Sequence, residues 1–390
     1  MAPSILTESE RALAAAARQA VARLEVREAP AGDHAAEEAA ARRALEVLSE
    51  AGLPGHAMPG PSGRLAVRSI CVIREELAWA SGLADAMFVM QGLGSCALAL
   101  AGTDETRRRY LPGVAGGRII AALALTEPHA GSDLGAIATR ARRDGGHYVL
   151  DGVKTYISNA GIAGLYTVFA RTSEGGRPQD GISAFAVDGA NPGLKVTERL
   201  TVSAPHPIGT IEMSACRVEA SGRLGEEGEG HGLALRVLDR FRPTVGAAAV
   251  GFARRGLEES VSRARSRRQF GRAIGEFQAI RFKLADMAVW LDAARLLVMR
   301  AASLLDADAG DAASRSPAGT RRASSMAKLY ATEAAQRIVD EAVQIHGALG
   351  VTRGHVVERL YREVRALRIY EGTSEIQRAI IARTLLQEGA

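Results

Sequence analysis

Five segments of this chain group residue types that can do chemistry. Thr126-Glu127-Pro128-His129-Ala130-Gly131-Ser132-Asp133 sets hydroxyls, small residues and glycine together. Such a stretch can present backbone N–H groups to an anion, and read alone it is equally a turn. Gly152-Val153-Lys154-Thr155-Tyr156-Ile157-Ser158-Asn159-Ala160 offers an aromatic face beside a hydroxyl, which suits a flat heterocycle; alone it reads as a strand ending in a turn. Arg267-Arg268-Gln269-Phe270-Gly271 is followed by Gln278, eleven residues after Arg267. Gln344-Ile345-His346-Gly347-Ala348-Leu349-Gly350 and Ile369-Tyr370-Glu371-Gly372-Thr373-Ser374-Glu375-Ile376-Gln377-Arg378 complete the set. Each of these last three also reads as a helix terminus with its cap, and His346 alone reads as a packed histidine. Asp239 and Arg242 have the spacing of an ion pair across one helical turn. Gly92-Leu93-Gly94-Ser95-Cys96-Ala97 matches the Gly-x-Gly-x-x-Ala form of the dinucleotide fingerprint. It lacks the strand–helix–strand surroundings and the acidic residue about twenty positions on, so it is not read as a nucleotide site. No P-loop, HExxH or nucleophile elbow occurs.

The elements that must hold these segments follow from periodicity. Residues 5 to about 120 read as helices. Thr7 and Glu10 form a capping box before an Ala/Leu-rich stretch, Ala40–Ala51 runs to Gly52 and Pro54, and Val67–Ala80 and Ala84–Leu100 follow a Gly/Pro-rich loop over Gly52–Gly63. The texture changes near Ile119. Short runs at His147–Leu150, Tyr166–Arg171, Ser183–Val187, Leu194–Thr197 and Thr210–Met213, separated by turn residues, predict a small β-barrel or sandwich that ends around Gly222–Gly232. Long helical runs return at Ala234–Ser266, Glu276–Asp306, Arg321–His346 and Thr373–Gln387, with a polar break over Asp306–Gly319. The expected division is therefore 1–120 helical, 121–230 β, and 231–390 a helical bundle.

Composition bounds the rest. The 390 residues suffice for two or three domains. With 47% hydrophobic and 24% charged residues the chain is a globular one, not a disordered, collagen-like or disulfide-built one. Cys71, Cys96 and Cys216 lie far apart without a CxxC pair, so neither a disulfide framework nor a metal site is expected, and a reducing compartment fits. Net charge is +5. The basic clusters Arg107–Arg109 and Arg263–Arg268 are expected to be solvated helix faces or contacts to a small anion, not a nucleic-acid surface. Glu8 and Glu10 precede any basic residue and no long apolar run follows, so no signal peptide is expected and the cytoplasm is the expected location. Ala86–Thr103 carries no charge, but its glycines, Gln91 and Ser95 predict a buried helix with a break, not a membrane span.

In this order and spacing, the TEPHAGSD, RRQFG and YEGTSEIQR segments resemble the acyl-CoA dehydrogenase family over nearly the whole chain. The resemblance implies an α+β, mostly α architecture: an N-terminal helical domain, a central β domain and a C-terminal four-helix bundle. It implies FAD, a homotetramer built as a pair of dimers, and a place in fatty acid metabolism. The implied reaction is α,β-dehydrogenation of an acyl thioester, acyl-CoA to trans-2-enoyl-CoA, with electrons passed on to an electron-transfer flavoprotein. That chemistry needs a carboxylate in a dry pocket and donors on the thioester oxygen.

Residue by residue, Glu371 is similar to the family's base, which takes the α-proton while N5 of FAD accepts the β-hydride. Members that relocate the base have a carboxylate where this chain has Phe241. Arg242 is implied to position the base or the substrate, Asp239 to meet the pantetheine arm, and Gly372 and Ser132 to contact substrate. Leu123, Leu125, Thr126, Gly131 and Ser132 correspond to the loop at the flavin's pyrimidine edge and pyrophosphate. Tyr156, Ile157 and Ser158 correspond to the segment against the ring. Arg267, Phe270, Gln278, Gln344 and Gly347 correspond to residues that reach the FAD of a neighbouring subunit, where a guanidinium suits a pyrophosphate. Thr373 and Glu375 fall at FAD-contact positions after the base.

The sequence departs from the family at several points. Tyr156 stands where most relatives have tryptophan, Ala348 where many have glycine, and Arg362-Glu363 where Arg-Asp is usual. Thr201-Val202-Ser203-Ala204-Pro205-His206-Pro207 and Cys216-Arg217-Val218-Glu219 differ from the common β-domain exit. Those departures keep open a biosynthetic dehydrogenase acting on an acyl or aminoacyl group tethered to a carrier protein. An acyl-CoA oxidase and a nucleic-acid-binding relative of the fold are the remaining alternatives. Acyl-chain selection is expected from Met87–Gly94 and Phe241.

Overall fold

Local signals start most of the N-terminal helices. Thr7 and Glu10 form the expected reciprocal box at α1 (Glu8–Ala22). Side chains of Asp33, Ser81 and Thr103 accept from backbone N–H groups at the starts of α2 (His34–Glu50), α4 (Gly82–Ala101) and α5 (Asp104–Ala115). Each such cap contributes about 1 kcal/mol. α3 (Val67–Ala80) lacks a side-chain cap on its own chain segment. Instead the distant Asp306 carboxylate accepts from Val67 N at 2.7 Å and Arg68 N at 3.0 Å, which pins α3 to the C-terminal half. The computed structural model describes residues 5–24, 29–30, 32–60, 63–174, 176–308 and 316–387.

α4 is continuous where a break was expected. It is long and apolar enough to cross a membrane, yet 78% of its apolar window lies inside the protein. Its glycines are points of close approach, not of interruption. A Cβ on Gly92 would lie 2.1 Å from the Ala57 carbonyl oxygen, and one on Gly94 would lie 2.7 Å from Ala122 N.

The central region is one connected eight-stranded sheet. Its strands are β1 (Ala121–Ala124), β2 (Arg140–Asp144), β3 (His147–Ser158), β4 (Leu165–Arg171), β5 (Ile182–Asp188), β6 (Leu194–Arg199), β7 (Ile208–Glu219) and β8 (Arg223–Leu224). The order is β6-β7-β3-β2-β4-β5-β8, and β1 pairs in parallel with β4. β3 and β7 are each twelve residues long, well beyond the expected four, because their pairing absorbs two register shifts. The first six residues of β4 and of β5 are buried, so both faces of these strands are covered. β1 also lies against α4, and Thr167 Oγ1 of β4 donates to the Gly94 carbonyl at 2.7 Å. These contacts join sheet to helices.

The last third holds α6 (Gly230–Ser266), the two-residue strands β9 (Arg268–Gln269) and β10 (Arg272–Ala273), α7 (Gln278–Ala307), α8 (Ala318–His346), α9 (Val356–Leu367) and α10 (Ser374–Gln387). Part of the polar break, residues 309–315, lies outside the described residues. α6, α7 and α8 pack on one another, and α10 packs on α8. α3 lies against α6, so the N-terminal helices share the bundle's core.

Candidate active site

Glu371 sits in the turn between α9 and α10. Its φ is +53° and that of Gly372 is +89°. A left-handed backbone at a non-glycine residue costs about 1–3 kcal/mol and persists only where surrounding contacts enforce it. Those contacts are specific. Gln377 Nε2 donates to the carbonyl oxygens of Glu371 (3.3 Å) and Gly372 (2.9 Å), and Lys328 Nζ donates to the same Gly372 oxygen at 2.6 Å. The conformation turns the carboxylate into a cavity of about 550 Å³. Its Oε2 is buried without a hydrogen-bond partner. Burial pushes the Glu371 carboxyl above the usual glutamate range, Arg74, Lys328 and Arg242 pull against that rise, and Asp85 adds to it.

The helices supply the wall around this carboxylate. Val89, Met90 and Leu93 of α4 line it with Leu238 and Phe252 of α6. Phe241, expected on this wall, packs instead against Gly92 and is fully buried. Arg74 and Asp85 also face the cavity. They form a buried bidentate pair, Nε–Oδ1 2.8 Å and Nη2–Oδ2 2.6 Å, and Arg74 Nη1 donates to Thr244 Oγ1 at 2.9 Å.

The sheet supplies the opposite side. Leu123, Leu125, Thr126 and Gly131 meet Tyr156, Ile157 and Ser158 on the same cavity. Tyr156 has φ +55° and is 63% exposed. An apolar floor, an open aromatic ring and two hydroxyls are a donor set suited to a flat, partly polar ring system, and the volume is that of a small-molecule site. A buried buttress stands behind it. Glu127 accepts from Ala138 N (2.6 Å), Thr139 N (3.0 Å) and Lys154 Nζ (2.7 Å), and Lys154 Nζ also donates to the Leu125 carbonyl at 3.1 Å. Burial pulls the Lys154 ammonium down to about 8. Burial pushes Glu127 the other way, but Lys154 and the two N–H groups hold it below its ordinary value.

Other sequence-predicted residues lie elsewhere. Ser132 is exposed on the turn beside Gly131, off the cavity wall. Asp239 and Arg242 are buried and paired with each other, so Asp239 is not open to a substrate arm. Arg267, Phe270, Gln278, Gln344 and Gly347 are exposed around the ends of α6, α7 and α8. Phe270 is 92% exposed and has φ +49°. Thr373 caps the Ile376 N–H, and Glu375 is exposed in the first turn of α10.

Sequence reasoning missed Arg74, Asp85, Lys328 and a role for His206. His206 lies in the departing loop, its Nδ1 3.0 Å from the Ala204 carbonyl and its Nε2 3.4 Å from Ser158 Oγ. A signal existed for Lys328 and Arg74, each a lone cation within a run of buried small or apolar residues.

Profiles for the acyl-CoA dehydrogenase N-terminal, middle and C-terminal domains match residues 7–118, 122–218 and 228–386. The chain is 39% identical over 323 residues to cyclohexane-1-carbonyl-CoA dehydrogenase of Geobacter metallireducens, covering 82% of each chain. It is 39% identical to 3-(aryl)acrylate reductase of Clostridium sporogenes (88% and 90% covered). It is 38% identical to the CarC subunit of the caffeyl-CoA reductase–Etf complex of Acetobacterium woodii (82% and 83%). Among solved structures, an acyl-CoA dehydrogenase complexed with FAD from Bacillus anthracis superposes with a TM-score of 0.90 at 31% identity, over 100% of this chain and 69% of that one. The prolyl acyl carrier protein oxidase AnaB gives 0.84 at 30% identity, over 97% and 99%.

Proposed function

The chain belongs to the acyl-CoA dehydrogenase family of FAD-dependent oxidoreductases acting on CH–CH bonds, and on that premise we propose that it desaturates an acyl thioester between Cα and Cβ with Glu371 as the base. The observation that carries this reading is the Glu371 carboxylate, which faces an apolar cavity with a buried, unpartnered Oε2. A carboxylate with its pKa raised by burial approaches that of a polarised α-proton, which favours the transfer. FAD, when bound, supplies the acceptor for the β-hydride.

The protein's own groups do the remaining work. Leu123, Leu125, Thr126, Gly131, Tyr156, Ile157 and Ser158 hold the flavin's ring end. Thr373, Glu375 and Ser132 contribute at its margins. Arg267, Phe270, Gln278, Gln344 and Gly347 reach the cofactor of a neighbouring copy. Arg242 acts on Glu371 through its charge, and Gly372 borders the thioester. The α4 and α6 side chains exclude water from the acyl group. Electrons leave to an electron-transfer flavoprotein, in keeping with the Etf complex named for one relative. Two relatives are named as reductases, and the reverse reaction uses the same carboxyl to return a proton to Cα.

Anaerobic addition of a series of acyl-CoA thioesters to the purified flavoprotein should bleach the oxidised flavin band. The Glu371→Gln variant should keep FAD and lose bleaching by about 10²–10⁴-fold. An unbleached band with every thioester refutes the reading. A second reading is favoured by the likeness to the carrier-protein oxidase and by the altered loop that brings Val202–His206 to the cavity. One acyl group offered on CoA and on a carrier protein separates the two.

A further inference from the structure

Lys328 is fully buried on α8, and among the described residues no carboxylate forms an ion pair with it. Its ammonium donates to the Gly372 carbonyl, one residue beyond Glu371. A buried cation without an ion-pair partner is costly unless something nearby uses its field. The charged groups that act most on Glu371 come from four helices, Arg74 from α3, Asp85 from α4, Arg242 from α6 and Lys328 from α8, while Glu363 and Arg365 of α9, Tyr370 beside the base, Tyr156 of β3 and His206 of the loop before β7 line the same cavity. Arg74 is neutralised by its bidentate pair with Asp85, and Arg242 is paired with Asp239. Lys328 has no such partner, although Glu333 and Glu375 lie within its field.

We propose that Lys328 is a positioning residue for the base: its ammonium fixes the Gly372 carbonyl, holds the left-handed turn at Glu371, and keeps the carboxylate ionised against burial. The inference rests on Glu371 being the base. The two tasks are separable. The hydrogen bond sets where the carboxylate points, through the turn. The charge sets how readily the carboxylate exists as an anion in a dry cavity, and an opposite charge at close range typically lowers a carboxyl pKa by about 1–3 units. Burial draws the Lys328 ammonium down to about 8, so it stays protonated at neutral pH and can serve both tasks there.

The test uses the FAD-loaded full chain with Lys328→Met, Lys328→Gln and Lys328→Arg, and Glu371→Gln in parallel. Two readouts are taken against pH: the rate of flavin bleaching by a thioester, and, without substrate, the infrared carboxylic-acid band that Glu371→Gln removes. Lys328→Met should move the acid limb and the infrared midpoint to higher pH by about one unit or more. Lys328→Gln, which keeps a donor for the carbonyl but no charge, should show the same shift with a smaller fall in limiting rate. Lys328→Arg should keep the midpoint near that of the parent. If Lys328→Met does not fold, Lys328→Gln carries the comparison. A loss of thermal stability with an unmoved midpoint in Lys328→Gln refutes the proposal, leaving the lysine a packing residue. Retained bleaching in Glu371→Gln refutes the underlying reading instead, so the two failures are distinct.

Discussion

At the scale of single residues, this site works by holding charges where water cannot screen them. Glu371 is pushed up by burial and pulled down by three cations, and burial wins. In the proposed reaction Glu371 acts in its ionised form, so turnover must fall as pH drops through its pKa. The sign gives a prediction: the acid limb of kcat/KM for thioester oxidation should lie above the ordinary glutamate value near 4.5, and below that limb FAD should remain bound. A limb at or below the ordinary value would mean that the cations dominate. Glu371 was legible in sequence because its flanking Tyr-Glu-Gly-Thr pattern is local. Of the cations around it, Arg242 was implied by the family resemblance, but Arg74 and Lys328 were not. Arg74 and Lys328 stand far from Glu371 in sequence, and nothing in residue spacing announces that α3 and α8 will bring them to one carboxylate. Strain was equally invisible. Among the described residues, Tyr156, Phe270 and Glu371 are three of the five non-glycine residues with positive φ, and all three were singled out in sequence for their chemistry. Left-handed backbone and candidate site residues coincide at these three positions, as expected where surrounding structure enforces an unfavourable conformation.

At the scale of elements, helix starts and the long apolar runs were readable because caps and 3.6-residue periodicity are local signals. α9 was missed although Val357, Leu360, Val364 and Leu367 form its buried stripe at helical spacing; it is short and follows a glycine-rich turn. β1 and β2 were missed because each is short and one is rich in arginine. The break expected in α4 failed for a different reason. Glycine there answers to neighbouring backbone, which only the assembled fold supplies. Gly92→Ala puts a methyl group 2.1 Å from a carbonyl oxygen that is itself backbone. The gain in helix propensity, about 1 kcal/mol, is outweighed by overpacking of about 1–3 kcal/mol and by displacement of the Ala57 turn. Gly92→Ala should therefore lower the melting temperature. Gly232→Ala in α6, where a Cβ meets nothing within 4 Å, should leave it unchanged or raise it. Calorimetry of the two variants checks the contrast, and an unaffected Gly92→Ala would remove close approach as the reason for that glycine.

At the scale of the whole molecule, the sheet and the helices meet at the cavity, but part of the predicted cofactor set faces away from it. Arg267, Phe270, Gln278, Gln344 and Gly347 are each exposed, at the end of α6, the start of α7 and the end of α8, and the Lys283–Glu341 pair ties the last two helix ends together. α7 itself carries Phe282, Val289 and Leu296 at 60%, 66% and 57% exposure. Their seven-residue spacing puts them on one face, two turns apart. Its other face, with Met287, Leu291, Ala294 and Val298, is buried in the bundle. A long helix with an apolar stripe on each side is built to be covered twice, and exposed apolar stripes of this kind mark association surfaces. The β9–β10 hairpin that presents Phe270 precedes α7, and Phe270 packs edge-on against Phe277 at the start of that helix, which favours a second copy of the chain as the occupant: one contact would cover the stripe and deliver the hairpin to the partner's cofactor. Light scattering on the FAD-loaded protein should give a dimer or larger assembly. The double substitution Val289→Glu/Leu296→Glu should yield smaller species that lose FAD on gel filtration, while far-UV circular dichroism stays unchanged, because neither side chain is in the bundle core. A monomeric parent that retains FAD would show that each chain holds its cofactor alone, and the exposed residues would then have no part in binding it.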